Sequence, residues 1–350
     1  MHLGLVKNGI FVAIIAHGLI GNSLVWDKVL LRRPQTMNLV SFVFWLGFIS
    51  IFGLLLIPFG FRWPDFETAA LAFAAGLLHL AANYFYYAAL KAGEASQTLA
   101  MVGGFSPVAT ALMAIALLKH PLGEGSMAGF ILLVFGGFVM FFSEKLNLRL
   151  VLPTVLLASV SFGLVNVTQK LAFERTNFVS GYVFFTFGTF IGSLLLLVRG
   201  SWRRQIFESS EKAEPSSRFW YFVNRFISGV GSFLTFYAIS LTAPAIVDAI
   251  TGLRYVIIFV VAYGITRLRP AWLRENFTGF ALLGKTAATL LVVAGLVLLG
   301  LKNGQGGLGS KAVDYHSSKA TPAATRIAAA QRRDLTSSFS TYLARRVSSR

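Results

Sequence analysis

The sequence predicts an all-α integral membrane protein: ten transmembrane helices built as two inverted five-helix repeats. Three observations carry that prediction. The chain of 350 residues is 55% hydrophobic and only 13% charged, whereas a soluble domain carries about 25% charged residues. Its apolar stretches are apolar on nearly every face and lack the polar stripe of a soluble surface helix. A helical hairpin also recurs. The stretch YFYYAALKAGEASQTLAMVGGFSP, from Tyr84 to Pro107, reads as helix, tight polar turn and helix, and FYAISLTAPAIVDAITGLRYV repeats that grammar in the second half. Tyr87-Ala88 falls on Tyr237-Ala238, Ala95 on Ala245 and Phe105 on Tyr255. Repetition of a unit in so apolar a chain is the signature of a duplicated membrane protein.

A helix crossing ~30 Å of hydrocarbon needs about 20 residues. That ruler places spans at residues 9–29, 39–59, 68–90, 95–118, 126–142, 152–172, 178–198, 219–241, 245–266 and 278–301. Breaks between them carry turn chemistry: Arg32-Arg33-Pro34, Trp63-Pro64-Asp65, Lys119-His120-Pro121 and Arg269-Pro270. Pro244 suits the first turn of the ninth span, where its missing N–H costs little. Residues 199–218 read as the longest internal loop, charged and Ser-rich. Span one (Ala16, Gly21, Lys28) aligns with span six (Ala158, Gly163, Lys170), and Gly129-Phe130 with Gly279-Phe280. Five spans per repeat is odd, so the second repeat enters the membrane from the opposite side. The expected organisation is a first repeat over 1–143, a second over 144–301 and a disordered basic tail over 302–350.

The net charge of +17 raises the question of nucleic acid, but its placement in the tail and between apolar spans fits membrane-flanking loops better. No nucleic-acid partner is expected. With no cysteine, thiolate metal sites, disulfides and Cys nucleophiles are excluded. The five histidines form no metal-ligand pair, no GxSxG elbow is present and acidic residues are scattered singly. We therefore expect no enzyme activity, no metal and no cofactor. Gly279-Phe-Ala-Leu-Leu-Gly284-Lys285-Thr286 matches the P-loop expression, yet that chemistry needs a strand, a loop and a helix. Inside an apolar helix the amides are already bonded, so Gly279 and Gly284 read as packing positions, as do Gly188 and Gly192.

Ionisable groups inside spans are the sharper signal, because each is costly in lipid and normally faces a cavity or a partner. Asp248, Arg254 and Lys285 lie within apolar runs, and Arg225 lies in span eight, near its end, where pairing with another of these charges or snorkelling to the interface is the simplest reading. Asp248 and Arg254 fall on different faces of one helix, so Lys285 is the expected charge partner of Asp248. Arg254 is expected to face the path and attract an anionic group. His79, Asn83 and Tyr87 recur on one face of span three. With Gln97, Asn166, Tyr237 and Tyr255 they complete a candidate substrate cavity, although interhelical hydrogen bonding explains such residues equally well.

Tyr87-Ala88-Ala89-Leu90 followed by Gly93-Glu94-Ala95-Ser96 and Pro107, then Tyr237-Ala238, Pro244, Gly252 and Tyr255, together with Asp27-Lys28, make residues 9–301 resemble the EamA-type transporters of the drug/metabolite transporter superfamily. The long basic tail departs from that pattern. The resemblance implies a basket of helices around a central path and cytoplasmic termini, whereas the loop charges favour termini outside. The expectation is a secondary transporter in the plasma membrane, multi-pass and lipid-embedded. It would move a small organic metabolite or drug, anionic on the Arg254 argument, by alternating access coupled to a proton or an exchanged solute. A lipid-linked metabolite flippase and a non-transporting membrane scaffold are the competing readings.

Overall fold

The computed structural model describes residues 8–32, 37–92, 95–119, 124–142, 148–268 and 279–306, and every regular element among them is helical. The described residues up to Lys302 form one compact unit. Residues 307–350, 269–278 and Gly93-Glu94 lie outside the described residues.

The helices are α1 (Gly9–Arg32), α2 (Leu39–Ile49, winding more tightly through Ser50–Phe59), α3 (Phe66–Ala92) and α4 (Ala95–Met113, widening to a π-type turn over Ala114–Leu118). They continue as α5 (Glu124–Phe142), α6 (Leu148–Arg175), α7 (Phe178–Leu195), α8 (Gly200–Lys212) and α9 (Pro215–Leu241). The short α10 (Pro244–Ala249) is followed by α11 (Gly252–Leu268) and α12 (Gly279–Gly306). Among the described residues eight stretches are long and apolar enough to cross a bilayer, and Met127–Val139 and Leu282–Leu298 are shorter apolar helices. Large apolar side chains such as Phe52, Leu55, Phe66 and Phe226 face outward, which suits a hydrocarbon solvent. This is an integral, multi-pass membrane protein.

Helix starts follow their capping residues. Asn38 and Asn177 are matching N-caps: the Oδ1 of each accepts from the backbone N–H three residues on, at Ser41 and Ser180. Asp65 caps α3, accepting from the Thr68 N–H at 2.9 Å and its hydroxyl at 2.7 Å. These bonds hold its carboxyl below the ordinary carboxylate value. Pro215 and Pro244 open α9 and α10 in the first turn.

Two helix pairs organise the bundle: α3 lies along α6, and α1 along α9. Helix α3 also packs closely on α7, where a Cβ at Gly76 would collide with the Phe185 carbonyl and one at Gly188 with that of Phe73. Gly188 is thus a packing position. Gly279 is not: it opens α12 with φ 48° and a Cβ there would meet nothing within 4 Å. The P-loop match lies at the start of this continuous helix.

Residues 199–218 are not a loop. Trp202 and Ile206, one turn apart, let α8 fold as an amphipathic helix on α2, with Ile206 fully buried. Ser41 Oγ donates to the Ile206 carbonyl, Trp45 Nε1 to Ser210 Oγ, and the Asn38 N–H to Ser209 Oγ. Arg203 and Arg204 are left exposed. The apolar stripe is short and lies among charges, so a span-length ruler passes over it.

Candidate functional site

At the centre of the bundle the ninth span is broken. Helix α10 ends at Ala249, and Leu253 and Arg254 bond back only three residues, to the carbonyls of Ile250 and Thr251. Backbone irregularity at membrane depth is tolerated where protein or a water-lined space covers it. Polar side chains converge on this break. Ser106 and Thr110, one turn apart on α4, both donate to Asp248 Oδ2, the former at 2.7 Å. Asn166 on α6 and Arg254 stand within electrostatic reach of the same carboxylate. From α1, His17 spans the break: its Nδ1 accepts from Arg254 Nε at 2.9 Å. Guanidinium N–H groups only donate, so the ring proton sits on Nε2, which donates to the Val247 carbonyl at 2.8 Å. A Cβ at Gly21 would lie 3.1 Å from the Arg254 Cα; the bare glycine lets α11 approach α1 closely enough for this contact.

A second cluster lies nearer one end of the bundle. Asp27 of α1 and Arg225 of α9 form an ion pair that is 0% and 3% exposed. Asn224 Nδ2 donates to Asp27 Oδ1 at 2.7 Å and to the Ser23 carbonyl at 2.9 Å. Tyr87 reaches in from α3, donating to Asp27 Oδ2 at 3.0 Å and accepting from Arg225 Nη1 at 2.7 Å. The guanidinium lies within 6 Å of the ring centres of Phe42, Tyr87 and Tyr221. Beside it Lys28 Nζ donates to the Leu90 carbonyl at 2.9 Å.

The comparisons with known proteins bear on this architecture. Residues 7–142 match the EamA-like transporter family. That family lies within the drug/metabolite transporter superfamily. No curated protein matches the chain in sequence. A solved crystal structure shares the fold with a TM-score of 0.55 at 15% identity, covering 87% of this chain and 99% of that one.

The EamA-like region, helices α1 to α5, thus supplies His17, Ser106 and Thr110 to the central cluster and Asp27 and Tyr87 to the terminal one. A cleft of roughly 230 Å³ opens at the other end of the bundle, lined by Ala111, Leu118, Lys170, Glu174, Thr242 and Pro244 among others. Lys170 pairs with Glu174 at 3.7 Å and donates to the Ser240 carbonyl at 3.3 Å. Ala111 follows Thr110 and Ala245 precedes Asp248 by less than one helical turn, so the cleft stops close to the central carboxylate.

Of the residues singled out in the sequence, Asp248, Asn166 and Arg254 come together. Asn83 stays within its own helix, donating to the His79 carbonyl at 2.8 Å and facing His79 Nε2 at 3.1 Å. Tyr87 sits instead in the terminal cluster, and Tyr237 packs its ring on Phe178 at 5.2 Å. The side chains of Gln97, Tyr255 and Lys285 lie outside the described residues, so the Asp248–Lys285 pairing has no described geometry; Ser106 and Thr110 are partners the sequence did not suggest. Arg225 does not snorkel: its partner Asp27 lies on a helix running the other way, so both charges stand near the same end. Opposite charges at one depth were the available signal. His17, Ser106 and Thr110 carried little, being single polar residues in apolar helices.

Proposed function

We propose that this protein is a secondary transporter that carries a small organic solute by alternating access between the α1–α9 and α3–α6 helix pairs. The observation that carries this reading is the central cluster. A carboxylate and a guanidinium are held at membrane depth beside a broken helix, in a family whose members move small solutes. Charges so placed are costly unless they serve a path, and broken helices frame the binding sites of many transporters. In this reading Asp248, Asn166, Ser106 and Arg254 line the path and Asn83 stands beside it. Gln97, Tyr237 and Tyr255 remain candidate wall residues and Lys285 a candidate charge partner. Arg254 selects a solute with an anionic group, and transport is driven by a proton gradient or by exchange.

The same reading takes the chain as two inverted five-helix repeats, with α5 and α12 as the shorter spans that bring the number to ten. Paired caps support it. Asn38 and Asn177 start the second helix of each half in the same way. Lys28 and Lys170 each end the first helix of a half by donating to a carbonyl near the end of its third, Leu90 or Ser240. The plasma membrane is the proposed location.

A solute screen in proteoliposomes tests the proposal. Wild type should accumulate or exchange at least one small organic anion, and Arg254→Gln should weaken its apparent affinity about tenfold or more, as expected for loss of a charge-assisted contact. No flux for any solute class would overturn the transport reading. Unchanged affinity in Arg254→Gln would remove the anion assignment alone.

A further inference from the structure

The two ends of the bundle are closed unequally. Arg225 and Thr242 lie on one helix and its cap, about 26 Å apart at 1.5 Å per residue, close to the thickness of a hydrocarbon core. The central cluster lies between them. At the Thr242 end the α3–α6 pair is tied to the α1–α9 pair by the 3.3 Å bond from Lys170 to Ser240, and the cleft is open there. At the Arg225 end three described hydrogen bonds join the pairs. Lys28 crosses to Leu90, and Tyr87 crosses to both members of the Asp27–Arg225 ion pair. Phe42, Tyr221 and Tyr87 cover that ion pair with their rings.

We propose that Tyr87, bridging the Asp27–Arg225 ion pair from α3, is the latch that closes this end of the path. The ion pair itself lies within the α1–α9 pair and keeps both charges satisfied when the latch is open. Among the described hydrogen bonds between the two pairs at this end, the two at the Tyr87 hydroxyl and the one from Lys28 break as α3 swings away. The latch is also imperfect, which favours release: Arg225 Nε is buried without a hydrogen-bond partner, so the closed arrangement does not satisfy every donor. The two lysines hold corresponding places at opposite ends. Opening at Lys28 would therefore accompany closure at Lys170.

This inference rests on the transport reading, but its test needs no solute. The chain has no cysteine, so single reporters can be placed without background. Leu24→Cys, buried one turn inward from Asp27, reports the latched end. Ala111→Cys reports the cleft. In the otherwise unaltered protein in detergent, a hydrophilic maleimide should label Ala111→Cys quickly and Leu24→Cys slowly. Adding Tyr87→Phe, which removes only the hydroxyl, should speed labelling of Leu24→Cys severalfold and slow that of Ala111→Cys. Both rates rising together would mean simple loosening, and neither changing would mean the hydroxyl holds nothing shut; either overturns the latch. If Tyr87→Phe does not yield folded protein, Lys28→Met, which removes the other described bond across this end and leaves the ion pair intact, carries the same comparison. Solute flux by wild type with no reciprocal labelling would sink the latch and leave the transport reading standing.

Discussion

A carboxylate and a guanidinium buried together cost more to separate than to replace. Asp27 and Arg225 illustrate this: each is shielded from solvent and each is satisfied mainly by the other, by Asn224 and by Tyr87. Removing one partner strands the other charge, at a cost of about 3–5 kcal/mol. We expect Arg225→Ala to lose that much stability in detergent unfolding. The double change Asp27→Leu with Arg225→Met should lose much less, because no charge is stranded. Equal losses in both would show that packing, not charge, sets the cost. The sequence exposed both residues but not their union: Arg225 reads as a residue near its helix end, and only the antiparallel run of α1 and α9 brings the two to one depth.

Helices were the most legible level. Segments that are apolar all round, with Pro, Arg or Asn at their ends, have no alternative in lipid; among the described residues eight of the expected spans coincide with stretches long and apolar enough to cross a bilayer, and the fifth and tenth with shorter apolar helices. What escaped was local. Helix α8 rests on a two-residue apolar stripe, Trp202 and Ile206, set among charges. The break after α10 was marked by Pro244 and Gly252, which locate a start and a loose point but not the convergence of His17 and Arg254 across it. Close helix approach was better signposted. The Gly188–Gly192 spacing pointed to contact, and Gly188 lies against the Phe73 backbone. Gly188→Leu should therefore push α7 off α3. Overpacking of this kind costs about 1–3 kcal/mol, and the loss should appear as a lower melting temperature. A variant as stable as wild type would mean the two helices part without penalty.

For the molecule as a whole, the expected repeat rested on Tyr87-Ala88 and Tyr237-Ala238 standing in register. The two tyrosines nevertheless have different surroundings. Tyr87 meets a buried ion pair, whereas Tyr237 meets the Phe178 ring edge-on. Aligned residues thus mark corresponding places in the chain and not a common task. The central site was legible as a list of costly charges, Asp248 and Arg254 foremost. Its hydroxyl and imidazole members were not, since Ser, Thr and His in an apolar helix serve packing as readily as function.

The broken ninth span has one more consequence, and it concerns time. Amides inside an unbroken membrane helix exchange their hydrogens only when the helix opens. The amides of Leu253 and Arg254 close short three-residue rings beside a polar cluster, where a water molecule can compete for the carbonyl. Deuterium uptake in bilayer nanodiscs should therefore run ahead at Leu253 and Arg254 and lag along α1 and α9 at the same depth. Uptake as slow as in those neighbours would mean that water does not reach the centre. Where uptake does run ahead, the break serves as a clock for solvent entry into the bundle.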